Sequence, residues 1–408
     1  MTEAWIIDAC RSPRGKGKET GALHEIHPQE LLAQVLNALA ARSGLPVSDV
    51  DDVVVGNNEN AGDHGNCIGR MAVLAAGWPI TVPGVTLNRF CGSGQQAVNF
   101  AAHGVLSGQQ QLVVAAGVES MSRLSVRQPV ERAAGNAELL RSYPLVPQGV
   151  SADLIATLEG FSREELDALA AESQRRAGVA IAEGRFRRSL VPIRRPDGSL
   201  ALDHDEHSRP GTTPEALAAL APSFERQGTR VPEDGGLSFD ERCKAVYPQI
   251  DGVRHVHHAG NSSGIVDGAG AVLVASDDYA RANGLTPRAR IVSTAALGDE
   301  PVIMLTAPGP ASRRALDRAG LSVSDVDIWE INEAFAAVSL KVIRDLKLDA
   351  DRVNVNGGAI ALGHPIGASG AMLVGTAVDE LERQDKTFAV VTMCTGGGMA
   401  TATVIERL

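Results

Sequence analysis

The chain has 408 residues, of which 44% are hydrophobic, and a formal net charge of -11. A chain of this length and composition can bury a large core and is expected to form a globular protein of two or three domains. The acidic balance argues against nucleic acid or an anionic membrane surface as a partner. No apolar run approaches the length that a bilayer requires, so we expect no membrane span.

The cysteines indicate a reducing compartment. Five of them are scattered along the chain, at Cys10, Cys67, Cys91, Cys243 and Cys394. An odd number at wide spacing is not typical of a disulfide framework. The first apolar run, 5–9, is followed by basic residues, which reverses the order of a secretory signal peptide. We therefore expect a cytoplasmic protein.

The first 120 residues alternate between strand and helix patterns. We predict strands over 4–8, 53–55 and 111–117, and helices over 28–43, 66–76 and 94–105. The basic segment 11–21 is interpreted as an exposed loop. Such alternation is typical of an α/β sheet with crossover helices.

The middle of the chain, about 120–254, breaks this alternation and is interpreted as an insertion. Its clearest element is a helix over 163–183, which begins with Ser162 and Glu165 in a capping-box pattern. Two stretches rich in histidine lie nearby. The spacing in 203–207 matches none of the usual zinc patterns and favours a solvated loop. In 255–258, together with Cys243, neighbouring side chains point to opposite faces, so no metal site is predicted.

An internal repeat relates the two ends of the chain. The segment Gly44–Asp51 recurs as Gly320–Asp327, each time between a predicted helix and a predicted strand. The two halves are therefore interpreted as copies of one α/β unit. Duplication brings equivalent strand ends together at a pseudo-twofold axis, and ligands bind near the carboxyl ends of such strands. The repeat predicts one site shared by both halves.

Cys91 lies between a predicted strand and a predicted helix, in the glycine-rich loop 87–97. The positive end of a helix dipole favours a thiolate at this position, which is typical of a nucleophile. The alternative is a buried structural cysteine in a tight turn. The loop alone does not distinguish the two.

Three loops of the second half could complete such a site. They are 332–335, which follows a predicted strand; 356–365, which is nearly all small residues around His364; and 394–399, in which Cys394 precedes three glycines. With Cys91 they supply a nucleophile, a base, a second thiol and flexible backbone donors, a combination that favours a catalytic constellation.

Several ordered motifs resemble those of the thiolase family, the acetyl-CoA acyltransferases and acetyltransferases. The resemblance extends from about residue 4 to residue 407 and is carried by Asn88–Cys91, Gly117–Ser122, Gly260–Gly264, Asn332–Phe335, Gly363–Pro365 and Cys394–Gly398.

The resemblance implies a duplicated thiolase fold. Two similar α/β halves would pack in a layered α-β-α-β-α arrangement with an inserted loop domain. We expect an N-terminal half over 1–120 plus 251–275, a coenzyme A-binding loop domain over 121–250, and a C-terminal half over 276–408.

The resemblance also implies catalytic roles. Cys91 would accept the acyl group as a thioester, with His364 taking its proton. Cys394 would be the second acid/base, acting on the α-carbon of acetyl-CoA. One oxyanion hole would consist of His364 and a water held by Asn332, and the other of the backbone N–H groups of Cys91 and Gly396.

Binding roles follow from the same resemblance. Ser263 would lie along the pantetheine arm, and Ala334 and Phe335 would line the acyl end. Coenzyme A is then a substrate, and no further cofactor and no metal is expected. The coenzyme A phosphates would be bound by arginines of the insertion, with candidates Arg175, Arg176, Arg187, Arg188, Arg194 and Arg195.

Two departures from the short biosynthetic members bear on specificity. The segment 147–153 stands where many of them carry a methionine-glycine flap, and 225–253 forms a long stretch before the Gly260 motif. Both features resemble the degradative 3-ketoacyl-CoA thiolases of β-oxidation. The resemblance further implies a homodimer or homotetramer, or association with the hydratase/dehydrogenase subunit of a fatty-acid oxidation complex.

Three other functions are alternatives to this one. The first is a biosynthetic acetyl-CoA acetyltransferase. The second is a ketoacyl synthase, which Cys394 disfavours because those enzymes pair one cysteine with two histidines. The third is a catalytically idle coenzyme A or lipid carrier or complex subunit, which the presence of both thiols and the histidine disfavours.

Overall fold

The structure is a computed structural model that describes residues 2–124, 136–232 and 235–408. Its strands are β1 (Ala4–Arg11), β2 (Gly15–Lys16), β3 (Asp52–Gly56), β4 (Val85–Leu87), β5 (Leu112–Ser120), β6 (Ile193–Arg194), β7 (Leu200–Leu202), β8 (Val266–Ser276), β9 (Ala289–Gly298), β10 (Ile328–Ile331), β11 (Phe388–Thr395) and β12 (Met399–Arg407).

Its helices are α1 (Pro28–Ser43), α2 (Ile68–Ala75), α3 (Ser93–Leu106), α4 (Ala137–Ser142), α5 (Gln148–Glu159), α6 (Arg163–Ala182), α7 (Pro214–Ala218), α8 (Glu225–Gly228), α9 (Phe239–Val246), α10 (Asp277–Ala282), α11 (Pro308–Ala319), α12 (Ala336–Leu346), α13 (Ala359–Leu362) and α14 (Ser369–Gln384). In the part of the chain that the structure describes, no helix is long and apolar enough to cross a membrane.

The large sheet has the strand order β10-β11-β12-β9-β1-β8-β5-β3-β4, with β2 paired to β8. The two halves share a parallel pair, β3 with β5 and β10 with β11, followed by antiparallel strands. In the N-terminal half, β4 adds a second parallel pairing at the free edge of β3. The halves meet where Trp5 pairs with Arg290 and Ile6 with Ala289. The sheet is thus two similar mixed units joined along one short edge.

The repeat predicted from the sequence is confirmed in detail. Gly44 ends α1 and Gly320 ends α11, and both adopt the left-handed conformation, with φ of 64° and 69°. Only glycine adopts this conformation without a steric cost. The backbone N–H groups of Asp51 and Asp327 then donate to the first residue of β5 and of β11, at 2.9 Å in both cases.

Three apolar cores separate the layers. Alternate side chains of each strand face opposite sides, so in β5 Val113 and Ala115 pack with α3 and α14, whereas Leu112 and Val114 pack with α1 and α2. On the C-terminal side, α11 and α12 cover the outer face of β10–β12. The α-β-α-β-α arrangement is therefore confirmed.

The central helices α3 and α14 approach each other closely at glycines. A Cβ on Gly94 would lie 2.6 Å from the carbonyl oxygen of Gly367, and one on Gly370 would lie 2.1 Å from the backbone nitrogen of Gln95. Both contacts involve the first turn of a helix. The starts of α3 and α14 consequently lie side by side, where the chemistry was predicted.

The insertion separates β5 from β8. It contains α4 to α9 and the β6–β7 hairpin, and α6 begins with the predicted capping box of Ser162 and Glu165. An apolar core links α5, α6 and α9 to α12 and to the end of β11. Residues 125–135 and 233–234 of the predicted loop domain lie outside the described part, and the domain limits stay a prediction.

Two predictions about loops were wrong. The segment after β1 is exposed only from Lys16 onward, since Arg11 and Arg14 are 2% and 4% exposed. In the segment 203–207, Asp205 is buried and forms a bidentate pair with Arg11, at 2.8 Å for both bonds. A carboxylate held by a guanidinium can be buried, and composition alone does not reveal that partner.

Candidate active site

Strand ends of both halves converge on two cysteines. Asn332 follows β10 and Cys394 lies near the end of the parallel strand β11, so both are at the carboxyl edge of the sheet. Cys91 precedes α3 in the other half. A Cβ on Gly92 would lie 2.7 Å from the methyl group of Thr395, which places the two cysteine loops in contact.

A tight turn presents Cys91. The Ser93 hydroxyl accepts from the backbone N–H of Arg89 at 2.9 Å and donates to the carbonyl of Phe90 at 2.6 Å. Phe90 itself has φ of 49°, a conformation that costs energy for a non-glycine residue. Such outliers persist where surrounding contacts impose them and occur frequently at functional sites.

Cys91 is protonated at rest. Burial raises the pKa of its thiol to about 11, against the lowering effect of hydrogen bonds from the Gln148 side chain, the Gly396 N–H and its own N–H. The prediction that the helix start favours a thiolate is therefore not confirmed for the resting side chain. A nucleophilic role requires a base.

His364 has the properties of that base. Its Nδ1 lies 2.5 Å from the hydroxyl oxygen of Ser369, and that hydroxyl donates to the carbonyl of Pro365 at 3.0 Å. The network thus assigns the ring proton to Nδ1 and leaves Nε2 unprotonated, 3.4 Å from Nδ2 of Asn332. Burial lowers the pKa of His364 to about 4, so the ring is neutral at physiological pH.

Cys394 is the second thiol of the site. Burial, and secondarily the neighbouring Cys91, raises the pKa of Cys394 well above its ordinary value. The turn after it, Gly396–Gly398, has φ of 75° at both Gly397 and Gly398. The Phe90 ring lies against Gly396, 3.2 Å from where a Cβ would be. Glycine is required here both by the turn and by this close contact.

The predicted binding residues are connected by backbone hydrogen bonds. The N–H of Ser263 donates to the carbonyl of Ala334 at 2.9 Å, and Phe335 pairs with the residue before Ser263. The N–H of His364 donates to the carbonyl of Gly264 at 2.8 Å. The predicted pantetheine, acyl and histidine loops therefore form one continuous wall.

Apolar side chains surround the predicted acyl end. The Phe335 ring meets Phe224 edge-on at 5.8 Å and His257 at 5.6 Å between centroids. Val150 of α5 and Met304 belong to the same apolar core as Cys394. This wall is suited to hydrocarbon more than to charged groups.

Sequence reasoning missed three residues of the site. Glu119 is buried and accepts from the N–H groups of Asn58 and Gly367, at 2.9 and 2.8 Å, which ties the loop after β3 to the histidine loop. Burial raises the pKa of Glu119 to about 7. Glu119 and Gln148 lie within stretches singled out from the sequence, whereas nothing local indicated Ser369.

The histidines of 255–258 pair with carboxylates of the insertion. Both His255 and His257 contact Asp153, at 2.8 and 2.7 Å, and His258 contacts Asp167 at 2.9 Å. Within the described ranges, no group of three or more histidine, cysteine, aspartate or glutamate side chains could hold a metal ion. The clustered histidines connect α5 and α6 to the segment that leads into the predicted pantetheine loop.

The arginines proposed for coenzyme A have other partners. Arg175 and Arg176 both pair with Glu172 at 2.6 Å, and Arg188 pairs with Glu382 at 2.5 Å. Arg194 and Arg195 donate to carbonyls of their own hairpin. Their role toward coenzyme A, with that of Arg187, stays a prediction.

Comparison with known proteins agrees with this geometry. Family models described as the thiolase N-terminal domain and the thiolase C-terminal domain match residues 4–234 and 285–407. A 3-oxoadipyl-CoA/3-oxo-5,6-dehydrosuberyl-CoA thiolase from Escherichia coli is 40% identical over 100% of both chains. A steroid 3-ketoacyl-CoA thiolase from Mycobacterium tuberculosis is 38% identical, covering 100% of this chain and 95% of that protein. The crystal structure of an acetyl-CoA acetyltransferase from Bacillus anthracis superposes with a TM-score of 0.83 at 35% identity, over 100% of this chain and 99% of that one.

Proposed function

The chain belongs to the thiolase family, and we propose that it is an acyltransferase that cleaves 3-ketoacyl-CoA with coenzyme A to acetyl-CoA and a shortened acyl-CoA. The observation that carries the proposal is the convergence of two protonated thiols, Cys91 and Cys394, whose loops are in contact at Gly92 and Thr395. The neutral His364 is joined to the Cys394 strand through Asn332, whose side chain lies 3.4 Å from Nε2 of His364 and whose N–H donates to the carbonyl of Thr392 at 3.0 Å. Carbon–carbon cleavage needs a nucleophile for the ketone and a separate proton donor for the leaving carbanion.

The first half-reaction begins at His364. Its Nε2 takes the proton of Cys91 as the sulfur attacks the 3-keto carbon of the substrate. The Cα–Cβ bond then breaks, the acyl group stays on Cys91 as a thioester, and Cys394 gives its proton to the acetyl-CoA carbanion. In the second half-reaction, the thiol of coenzyme A gives its proton to the Cys394 thiolate and attacks the Cys91 thioester. The shortened acyl-CoA leaves, and the Cys91 sulfur takes back the proton held by His364.

Negative charge on the substrate oxygens would be stabilised at two places. The N–H groups of Cys91 and Gly396, which point at Sγ of Cys91 in the resting enzyme, would donate to the oxyanion on the carbon bonded to that sulfur. The thioester oxygen of the leaving acetyl-CoA would lie between His364 and a water on Asn332. Each preorganised donor is worth a few kcal/mol, about 2.7–4 in known oxyanion holes.

The substrate class is proposed to be 3-ketoacyl-CoA of β-oxidation. The apolar wall of Phe335, Phe224, Val150 and Met304 supports an apolar acyl chain. Relatives named for a dicarboxylic and a steroid substrate show that the family accommodates diverse acyl groups. A protein confined to the two-carbon unit, like the acetyl-CoA acetyltransferase that superposes on this chain, is the alternative.

We also propose a cytoplasmic homo-oligomer. All five cysteines are unpaired, which supports a reducing compartment. The edge strand β4 exposes Val85, the helix α2 and the turn after it expose Leu74 and Ile80, and α3 exposes Phe100 and Leu106. Exposed large apolar side chains in this half of the sheet support association with a second copy or with another subunit of an oxidation complex.

The test is thiolysis by purified protein over a series of 3-ketoacyl-CoA chain lengths, with Cys91→Ser beside the wild type. We expect cleavage that increases beyond acetoacetyl-CoA, and a loss of at least about a thousandfold in Cys91→Ser because the hydroxyl is a weaker nucleophile. Cleavage of acetoacetyl-CoA alone would support the acetyl-CoA acetyltransferase. Tight binding of every thioester without turnover would show a carrier and refute the enzyme.

A further inference from the structure

A cavity outside the proposed active site lies between two helices. It has a volume of about 340 Å³ and is bounded by one face of α6 and by α12. The residues of α6 that line it recur at helical spacing, namely Glu165, Ala168, Leu169, Glu172, Ser173 and Arg176. None of its described lining residues belongs to the proposed acyl wall of Phe335, Phe224, Val150 and Met304. The cavity is therefore separate from the place where the acyl chain is proposed to bind.

The walls of the cavity are mainly apolar. Leu169 of α6 and Leu340 and Ile343 of α12 all line it, and each is only partly buried. Sites for small molecules are mostly apolar and have volumes of about 300–1,000 Å³, so this cavity is at the lower end of that range. Partly exposed apolar side chains favour an occupant that removes them from water. The cavity therefore fits a small molecule with an apolar body.

Four buried polar side chains line the cavity, and three of them have partners. The Ser173 hydroxyl donates to Glu333 at 2.7 Å, and the Asn354 amide donates to the same carboxyl group at 3.0 Å. Ser339, on α12, is only 1% exposed, yet its hydroxyl has no hydrogen-bond partner among the described residues. Because an unpaired buried hydroxyl is unfavourable, Ser339 indicates where a polar atom of a ligand would bind.

The charged groups of the lining favour an uncharged ligand. They are three carboxyl groups, of Glu165, Glu172 and Glu333, and one guanidinium, of Arg176. Arg176 pairs with Glu172 at 2.6 Å and also donates to two carbonyls of the segment 350–353, at 3.0 and 2.6 Å. The carboxyl groups themselves accept hydrogen bonds from the protein. An anion would meet an excess of carboxyl groups without a free cation, and a cation would compete with bonds already made.

We propose that this cavity is a binding site for a small, uncharged molecule that has an apolar body and one hydroxyl or carbonyl group, with that polar group hydrogen-bonded to Ser339. A serine hydroxyl both donates and accepts, so either group would pair with it. The proposal does not depend on the proposed function, because none of the described lining residues has a part in the proposed mechanism.

The bound molecule would lie behind two loops of the proposed active site. Glu333 directly follows Asn332 in the chain. Its carboxyl group also accepts from the N–H of Ile360, at 3.1 Å, in the loop that carries His364. Ser173 connects the same carboxyl group to α6. A ligand in the cavity would therefore contact the side chains that join α6 to the Asn332 and His364 loops.

The test uses para-bromophenethyl alcohol as the probe and para-bromophenylacetate, an anion of similar size, as the matched control ligand. Titration followed by saturation-transfer NMR measures the Kd of each for the wild type, Ser339→Ala, Ala168→Trp and Ala182→Trp. We expect the wild type to bind the alcohol with a Kd of about 1 mM or lower, as suits so small a molecule. The anion should bind at least about tenfold more weakly.

The variants locate the site. Ser339→Ala removes the hydrogen bond and should weaken binding of the alcohol about threefold to tenfold. Ala168→Trp places a large ring in the cavity and should abolish binding. Ala182→Trp is the matched control, because Ala182 is the exposed last residue of α6 and does not line the cavity. In a wild-type crystal soaked with the alcohol, anomalous scattering from bromine should give a peak between α6 and α12.

Any of four results would overturn the inference. They are no saturable binding of the alcohol, wild-type affinity in Ser339→Ala or Ala168→Trp, equal affinity for the anion, and bromine found only at the proposed acyl wall. Equal losses in Ala168→Trp and Ala182→Trp would count against it as well. If Ala168→Trp does not fold, Ser339→Ala and the bromine position decide. Thiolysis is not measured, so a failure of the proposed function would leave these results unaffected.

Discussion

The two halves close the same strand pair in different ways. In the C-terminal half, β11 turns into β12 through Gly396–Gly398, while in the N-terminal half β5 and β8 are separated by residues 121–265. The short turn places the backbone N–H of Gly396 beside Cys91. The long insertion supplies α5, with Gln148 at the same thiol, and helices that belong to the apolar core around Phe335. One framework thus provides a donor turn on one side and an apolar wall, the proposed acyl site, on the other.

The helix starts show the same division. α3 begins at Ser93 and α14 at Ser369, which are equivalent positions in the repeat that pairs Gly44 with Gly320. The preceding loop carries Cys91, the proposed nucleophile, in one half and His364, the proposed base, in the other. Duplication therefore doubled a loop-and-helix geometry, and in the proposed mechanism different side chains give each copy a separate part of the reaction.

Removing Cys394 should have the largest effect and would separate the carbon–carbon chemistry from thioester exchange at Cys91. In Cys394→Ala we expect exchange of the acetyl-CoA α-proton to fall about a thousandfold, the usual worth of a general acid/base. Acylation of Cys91 by acetyl-CoA should persist, because thioester exchange leaves no carbanion to protonate. Deuterium uptake into acetyl-CoA and the intact mass of the acyl-enzyme measure the two steps. Loss of acylation by acetyl-CoA would show that Cys394 also serves thioester exchange.

Substitution of the two equivalent serines should affect different properties: catalysis for Ser369 and stability for Ser93. Ser369→Ala removes the partner of Nδ1 of His364 and should lower kcat/KM about tenfold to a hundredfold, because a misplaced catalytic group costs that much, and should alter the pH profile. Ser93→Ala removes two bonds within the Cys91 turn, each worth about 1 kcal/mol of stability, and should leave the pH profile unchanged. Matching pH profiles in the two variants would contradict the assigned tautomer.

The contact between the central helices should be sensitive to one methyl group. Gly370→Ala places a Cβ 2.1 Å from the Gln95 nitrogen and should destabilise the protein by about 1–3 kcal/mol. Gly309→Ala, in α11, is the matched control because nothing lies within 4 Å of its Cβ position. Denaturant unfolding of both variants measures the difference. Equal free energies of unfolding in the two variants would mean that α3 and α14 can move apart at this contact without loss of stability.

The contribution of His255 to stability should decrease at alkaline pH. Bonds to Asp153 and Asp240, opposed by burial, raise the pKa of His255 from 6.5 to about 9. The stabilisation is complete below the unfolded value and is lost as pH rises through the folded value. The difference in Tm between the wild type and His255→Gln should therefore decrease from pH 6.5 to pH 9. A constant gap would show that His255 is neutral when folded. This is the smallest of the four effects, because the pair is only partly buried.

Much of the fold could be predicted from the spacing of apolar residues and from the residues that begin and end helices. The helix over 28–43 matches α1 residue for residue, and the capping box at Ser162 begins α6. These elements depend on local chemistry: apolar spacing, a cap and a terminal glycine. The internal repeat also predicted that the two halves share one fold, since copies of one sequence make the same hydrogen bonds.

The motifs also identified Cys91, His364, Cys394 and Asn332, and tertiary structure brings the four together. What the sequence could not show is their state. Cys91 is a protonated thiol and His364 a neutral ring because both are buried, and burial depends on neighbours far away in the chain.

Dependence on distant residues also explains why the exposure of some polar residues was predicted wrongly. Arg11 and Arg14 belong to a basic stretch that is typical of a solvated loop, yet both are buried together with Asp205, a residue of the insertion. The sequence by itself determined the elements, their duplication and the candidate catalytic side chains, because these follow from neighbouring residues. Only the tertiary structure decided which charges are buried and which are paired, because long-range contacts set the electrostatic free energy of each group.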